Sequence, residues 1–91
     1  MPTKNETNKL VIATKDSWTT LATIPNKIEL LNRMATTMTA LTFMGTASFL
    51  LVILEQKNGK GWKVDRYENH GLSLAETIEL LSNLPATLTS R

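Results

Sequence analysis

The sequence contains no cysteine and a single histidine, and these two shortages exclude most kinds of catalytic and metal site. Without cysteine there is no disulfide, no thiolate zinc site and no cysteine nucleophile. The one histidine, His70, lies two residues from Glu68, and such a couple could act as a general base. Because no nucleophile or oxyanion site at a known spacing accompanies it, we expect a solvated loop histidine. We therefore expect no enzyme activity, no metal and no other cofactor.

The net charge is also small, at +2 over 91 residues, although 20% of the residues are charged. This length is enough for one domain with one core. We expect a flexible tail over residues 1 to 8, a single domain over 9 to 85, and a frayed end over 86 to 91. The first residues are polar, and the apolar segment after them is too short for a secretory signal. The expected location is therefore the cytoplasm.

One long segment, residues 34 to 54, carries no charge at all. A run of this length could cross a bilayer as a helix. Threonines and the central Gly45 interrupt it, and its apolar residues have helical spacing before Gly45 but form a solid block after it. A single-pass membrane protein spanning 34 to 54 is therefore an alternative to a soluble fold, and we expect a membrane to be an unlikely partner.

The solid apolar block, Phe49 to Leu54, begins the clearest pattern in the chain. It is followed by Asn58-Gly59 and then by a run from Trp62 to Tyr67 in which apolar and charged residues alternate. An apolar run, an Asn-Gly turn and a run of period two predict a β-hairpin. Because the first strand is apolar on both faces, it should lie inside the sheet.

Two further strands and two helices are predicted around this hairpin. The strands are Leu10 to Thr14 and Trp18 to Ile24, joined by a turn. Asn26 and Glu29 should open the first helix and Gly45 should end it, while Ser73 and Glu76 form a capping box for the second. Helical spacing predicts inner faces that consist of Ile28, Leu31, Ala35, Met38 and Leu41 in the first helix and of Leu74, Ile78 and Leu81 in the second.

These elements predict a two-layer α+β fold of order ββαββα, with a mainly antiparallel four-stranded sheet and two helices on one face. The two halves also resemble each other, since Leu10-Val11-Ile12 and Trp18 recur as Leu51-Val52-Ile53 and Trp62. A duplicated ββα unit with a pseudo-twofold axis is one explanation. Coincidence is the other, because any strand uses these residue types.

The hairpin is the first candidate binding site, because residues 57 to 67 carry a local net charge of +3, more than the net charge of the whole chain. Strict alternation would turn Trp62, Val64 and Arg66 one way and Lys63, Asp65 and Tyr67 the other. Cations beside an exposed aromatic could hold a nucleic-acid backbone and stack a base. Alternatively, the lysines only protect a sheet edge from aggregation. The candidate residues are Lys57, Lys60, Lys63, Arg66 and Tyr67.

The second candidate is an apolar interface. Helices on one face would leave the other sheet face uncovered, and exposed apolar area on a small domain usually marks an interface. The first helix also bears threonines and methionines, which are typical of a packing surface. The candidate residues are Phe49, Leu51, Ile53 and Met38. The leading hypothesis is thus a small regulatory or protein-interaction domain that binds itself, as a homodimer, or another protein. Nucleic acid is a less favoured partner, and no motif indicates a family.

Overall fold

The computed structural model describes residues 6 to 89. Its elements follow the predicted order ββαββα, with a further short helix at the end. They are β1 (Thr7–Thr14), β2 (Ser17–Ile24), α1 (Lys27–Phe43), β3 (Phe49–Gln56), β4 (Lys63–His70), α2 (Leu74–Ser82) and α3 (Ala86–Thr89). The predicted α+β fold class is therefore confirmed.

The four strands form one sheet in the order β2-β1-β3-β4, and every neighbouring pair is antiparallel. The solid apolar strand β3 lies between β1 and β4, as its sequence predicted. Residues Phe49 to Leu54 are all buried, three toward each face of the sheet. β2 and β4 are the two edge strands.

The helices cover both faces of the sheet, so the prediction of two helices on one face is wrong. Phe49, Leu51 and Ile53 pack beneath α1, which supplies Leu30 and Met34. On the opposite face the side chains that cover Leu50, Val52 and Leu54 include Trp18, Trp62, Leu72, Leu80, Leu81, Leu84 and Leu88. The reason is the composition of β3: a strand that is apolar on both faces needs a cover on both sides. The result has three layers rather than two.

The inner faces of both helices also differ from the predicted ones. In α1, Leu30 and Met34 are buried, whereas Ile28 and Ala35 are exposed. In α2, Thr77 is buried, and Leu74 and Ile78 are exposed. Leu31, Met38, Leu41 and Leu81 lie toward the core as predicted. Apolar residues occur on nearly every side of α1, so spacing alone leaves its rotation open by about one position.

The ends of the helices are formed by the residues that the sequence indicated. The Asn26 side chain accepts a hydrogen bond from the Glu29 amide at 3.1 Å. Ser73 and Glu76 form the reciprocal capping box, with distances of 3.1 Å and 2.9 Å. Gly45 follows the last residues of α1 with a φ of 74°, a left-handed conformation that suits glycine.

The domain boundaries extend further than predicted at both ends. β1 already begins at Thr7, and Asn8 is fully buried. At the other end, residues expected to fray form α3, whose Leu88 packs onto the sheet. The predictions for residues 1 to 5 and 90 to 91 lie outside the described residues.

The proposed duplication fits the strands but not the helices. The register pairs Val11 with Val52, which occupy matching places in the two halves. An axis that exchanges these antiparallel neighbours runs perpendicular to the sheet, so it would keep both helices on one face. They lie on opposite faces instead. The pseudo-twofold relation therefore does not extend beyond the strands.

The uncharged segment over residues 34 to 54 is divided between α1, a turn at Gly45 and β3. Within residues 6 to 89, no helix is long and apolar enough to cross a membrane.

Candidate functional site

The predicted apolar interface is part of the core. Phe49, Leu51 and Ile53 have no exposed surface, and Met38 packs against them from α1. The prediction that these residues form a partner surface is therefore wrong for this structure. The physical reason is the cover of helices on both faces, which leaves neither sheet face open.

The basic hairpin has the predicted turn. Asn58 and Gly59 both have positive φ, at 57° and 71°, and the Lys60 amide donates to the Lys57 carbonyl at 3.1 Å. These are the features of a type I′ turn. Lys57, Lys60 and Lys63 line a pocket of about 180 Å³ together with Glu55 and Gly61. The turn thus brings three of the four predicted cations together.

A β-bulge separates the aromatic residue from these lysines. β4 pairs Val64 with Leu54 and Arg66 with Ile53, so Asp65 is an extra residue in the strand. Beyond the bulge the alternation is inverted. Tyr67 pairs with Val52 and faces α2, whereas Arg66 shares the α1 side of the sheet with Lys63. The prediction that Lys63 and Tyr67 share a face is therefore wrong.

Trp62, the second aromatic residue of the hairpin, makes contacts within the fold. The Lys9 ammonium lies 4.3 Å from the centre of the Trp62 ring, and burial lowers the pKa of Lys9. The Trp62 amide donates to the Thr89 carbonyl at 3.0 Å. Trp62 therefore closes the α2 side of the core, where it is not free to stack on a base.

An ion-pair cluster fixes the bulge. The Lys27 ammonium, in the first turn of α1, lies 3.1 Å from a Glu55 carboxylate oxygen and 3.2 Å from an Asp65 carboxylate oxygen. The hydrogen bond to Glu55, with the nearby Asp65 charge, raises the pKa of Lys27 above its ordinary value. Lys27 thus connects α1 to both β3 and β4. It also neutralises acidic charge next to the lysine pocket.

His70 is the last residue of β4, not a loop residue as predicted. Its ring stacks on Phe49, with centroids 4.9 Å apart. In the part of the chain that the structure describes, no cluster of His, Asp and Glu side chains could hold a metal ion.

A surface that the sequence indicated only in part lies on the outside of α1. We call Ala35, Thr36, Thr39, Ala40, Phe43 and Met44 the outer face of α1; together they line a shallow groove. Phe43 is 90% exposed and Met44 is 73% exposed. The threonines and methionines of this helix had suggested a packing surface. The exposed phenylalanine at its end was not among the residues that the sequence analysis singled out.

A second groove lies between α1 and the edge strand β2. β1 and β2 contribute Leu10, Leu21 and Ala22 to its lining, and α1 contributes Glu29, Asn32, Arg33, Thr36 and Thr37. Leu21 is 44% exposed and is the extra residue of a bulge in β2, because Ala22 pairs with Leu10 and Thr20 with Val11. We call this feature the β2–α1 groove.

Comparison of the chain with protein-family models, curated proteins and solved structures finds no match in any of the three.

Proposed function

We propose that this protein is a small, non-catalytic interaction domain that works as a homodimer and binds a partner protein through the outer face of α1. The observation that carries the proposal is the exposure of Phe43 and Met44 at the end of a helix surface without charge. The solvent side of a helix in a globular protein normally carries charged residues. A surface of the opposite kind is typical of an interface.

The chemistry of this surface favours a helix as the partner element. Ala35, Thr36, Thr39 and Ala40 are small, so a second helix can approach the α1 backbone closely and fit its ridges between them. Phe43 then supplies a large apolar anchor at one end. The outer face of α2 differs, because exposed Leu74 and Ile78 alternate there with Glu76 and Glu79. We therefore propose that an amphipathic helix of the partner binds to α1 and not to α2.

A nucleic-acid-binding function of the basic hairpin is the second candidate. The three lysines around one pocket support it. The positions of Tyr67 and Trp62 on the α2 side of the sheet weaken it, since neither is beside the lysines. What remains is a small electrostatic patch whose lining includes a carboxylate, that of Glu55.

The proposal is tested by quantitative affinity capture from the native host with the wild type and two matched variants. Phe43→Ser removes the anchor, and Tyr67→Ser removes an exposed aromatic from another surface. A partner captured by the wild type and by Tyr67→Ser, but lost with Phe43→Ser, is purified and titrated. Loss of an anchor residue should weaken its binding by about 30-fold or more. Equal capture by all three proteins would contradict the assignment to α1.

The nucleic-acid alternative is tested with single-stranded and duplex DNA and RNA at low and moderate salt. Salt-dependent micromolar binding that the triple variant Lys57→Glu, Lys60→Glu, Lys63→Glu abolishes would replace our proposal with the alternative. Absence of binding at low salt would remove the alternative, because exposed cations bind most strongly there.

A further inference from the structure

The sheet has two edge strands, and each leaves the backbone groups on its outer side without a partner strand in the described chain. Such an edge is a template for pairing with another strand. Proteins usually protect edges with charged side chains, proline or bulges. The two edges of this sheet differ in how far they use these devices.

β2 has no charge and no proline anywhere from Ser17 to Ile24. Its exposed side chains include Thr19, Thr20 and Thr23, which favour extended structure. The bulge at Leu21 is its one protective feature, and it leaves Ser17 to Thr20 as a regular segment in which every residue except Trp18 is exposed. β2 is thus an edge that another strand can extend.

The properties of β2 fit a second copy of the same chain. In a twofold antiparallel pair of identical strands, residues near the axis face their own copies, so a charge there would lie near the same charge of the partner. β2 has no such charge to bring together. β4, by contrast, carries Lys63, Asp65, Arg66 and Glu68, so pairing with its own copy would bring charged side chains of both strands together.

The β2–α1 groove adds apolar area beside the same edge. Leu21 is exposed at the edge, and Leu10 and Ala22 line the groove next to it. A strand that pairs with β2 would lie against Leu21 and close this groove from the open side. Backbone hydrogen bonds and apolar burial would then act together, as in other complexes formed by strand addition.

We propose that a second copy of the chain pairs antiparallel with β2 and joins the two four-stranded sheets into one continuous sheet. This inference rests on the homodimer in the proposed function and names its interface. The twofold axis is perpendicular to the sheet, so both α1 helices lie on the same side of it. The dimer therefore presents two outer faces of α1 toward a partner.

Sedimentation equilibrium at increasing protein concentration tests the interface. The double variant Thr20→Lys, Thr23→Lys adds charge at two exposed positions of β2, and Thr19→Lys adds one on the opposite sheet face as a second variant. Thr87→Lys, at an exposed position of α3, is the matched control. We expect a dimeric wild type and control, and a dissociation constant raised at least about tenfold in both β2 variants.

Circular dichroism and thermal unfolding establish that each variant is folded. A wild type that stays monomeric at high micromolar concentration would overturn both the inference and the homodimer in the proposed function. A dimer of unchanged affinity in the folded β2 variants would overturn the inference alone, because the homodimer would then use another surface. Weakening by Thr87→Lys as strong as that by the β2 variants would also overturn it.

Discussion

The two edge strands of the sheet, β2 and β4, differ in how well they are protected against pairing with another strand. Both β2 and β4 have eight residues and both contain a bulge, so neither length nor regularity distinguishes them. Charge does. Five of the eight residues of β4 are Lys, Asp, Arg, Glu or His, whereas β2 has no residue of these types. The comparison indicates that β4 is protected against pairing and that β2 is open to it.

The charges of β4 also serve the fold. Lys63 is only the register partner of Glu55 across the sheet, but the Asp65 carboxylate lies 3.2 Å from the Lys27 ammonium of α1. The bulge at Asp65 is therefore connected to the helix layer, while the bulge at Leu21 lies beside an open groove. One irregularity is fixed by an ion pair, and the other leaves an apolar side chain exposed.

The largest effect should follow from removing the charges of β4. We expect Lys63→Thr, Arg66→Thr, Glu68→Thr to convert the proposed dimer into open-ended assemblies, because both edges would then accept strands. Light scattering measures this as a mass that keeps rising with concentration. Adding Thr20→Lys and Thr23→Lys should limit growth again. A folded triple variant that remains a dimer would show that charge does not protect β4.

A smaller effect is expected when the link between α1 and the bulge of β4 is removed. Lys27→Met should lower the free energy of unfolding by about 1 kcal/mol at neutral pH, since Lys27 is partly exposed and its ion pairs are screened. Its raised folded-state pKa gives stability that is present below the ordinary lysine pKa and lost as pH rises through the folded value.

The difference between wild type and Lys27→Met should therefore shrink above about pH 10.5. Urea unfolding at neutral and alkaline pH measures it, with Lys60→Met, an exposed lysine of the turn, as the control. A difference that stays constant with pH would mean that packing of the side chain, not its charge, stabilises the fold.

The turns of the two hairpins should respond differently to alanine. Gly59 has a φ of 71°, so Gly59→Ala should destabilise the β3–β4 hairpin by about 1 kcal/mol. Asp16, in the β1–β2 turn, is not among the residues with positive φ, and Asp16→Ala should change stability by less than about 0.5 kcal/mol. Thermal unfolding compares the two. Equal losses would contradict the geometric difference between the turns.

The sequence predicted well those features that depend on local chemistry. Asn58-Gly59, the Asn26 cap and the Ser73–Glu76 capping box each require particular residues at particular places, and each is present. The central position of β3 followed from its apolar composition in the same way.

The features that failed depend on tertiary structure. No residue pattern in the sequence indicates the bulge at Asp65. The bulge nevertheless moves Tyr67 to the other face of the sheet, so the predicted binding surface of lysines and Tyr67 does not form. The inner face of α1 was misplaced, because Leu30 and Ala35 are both apolar and only packing decides between them. The apolarity of β3 on both faces was recognised, but it indicated a second helix layer and not an exposed interface.

Hydrogen exchange of individual backbone amides, measured at protein concentrations from low to high micromolar, tests the central claim most directly. The account predicts that amides of β2 that point away from β1 exchange at least about tenfold more slowly at the highest concentration, while the outward amides of β4 exchange at a constant rate. Outward amides of β2 that exchange freely at every concentration, or concentration-dependent protection of β4, would contradict it.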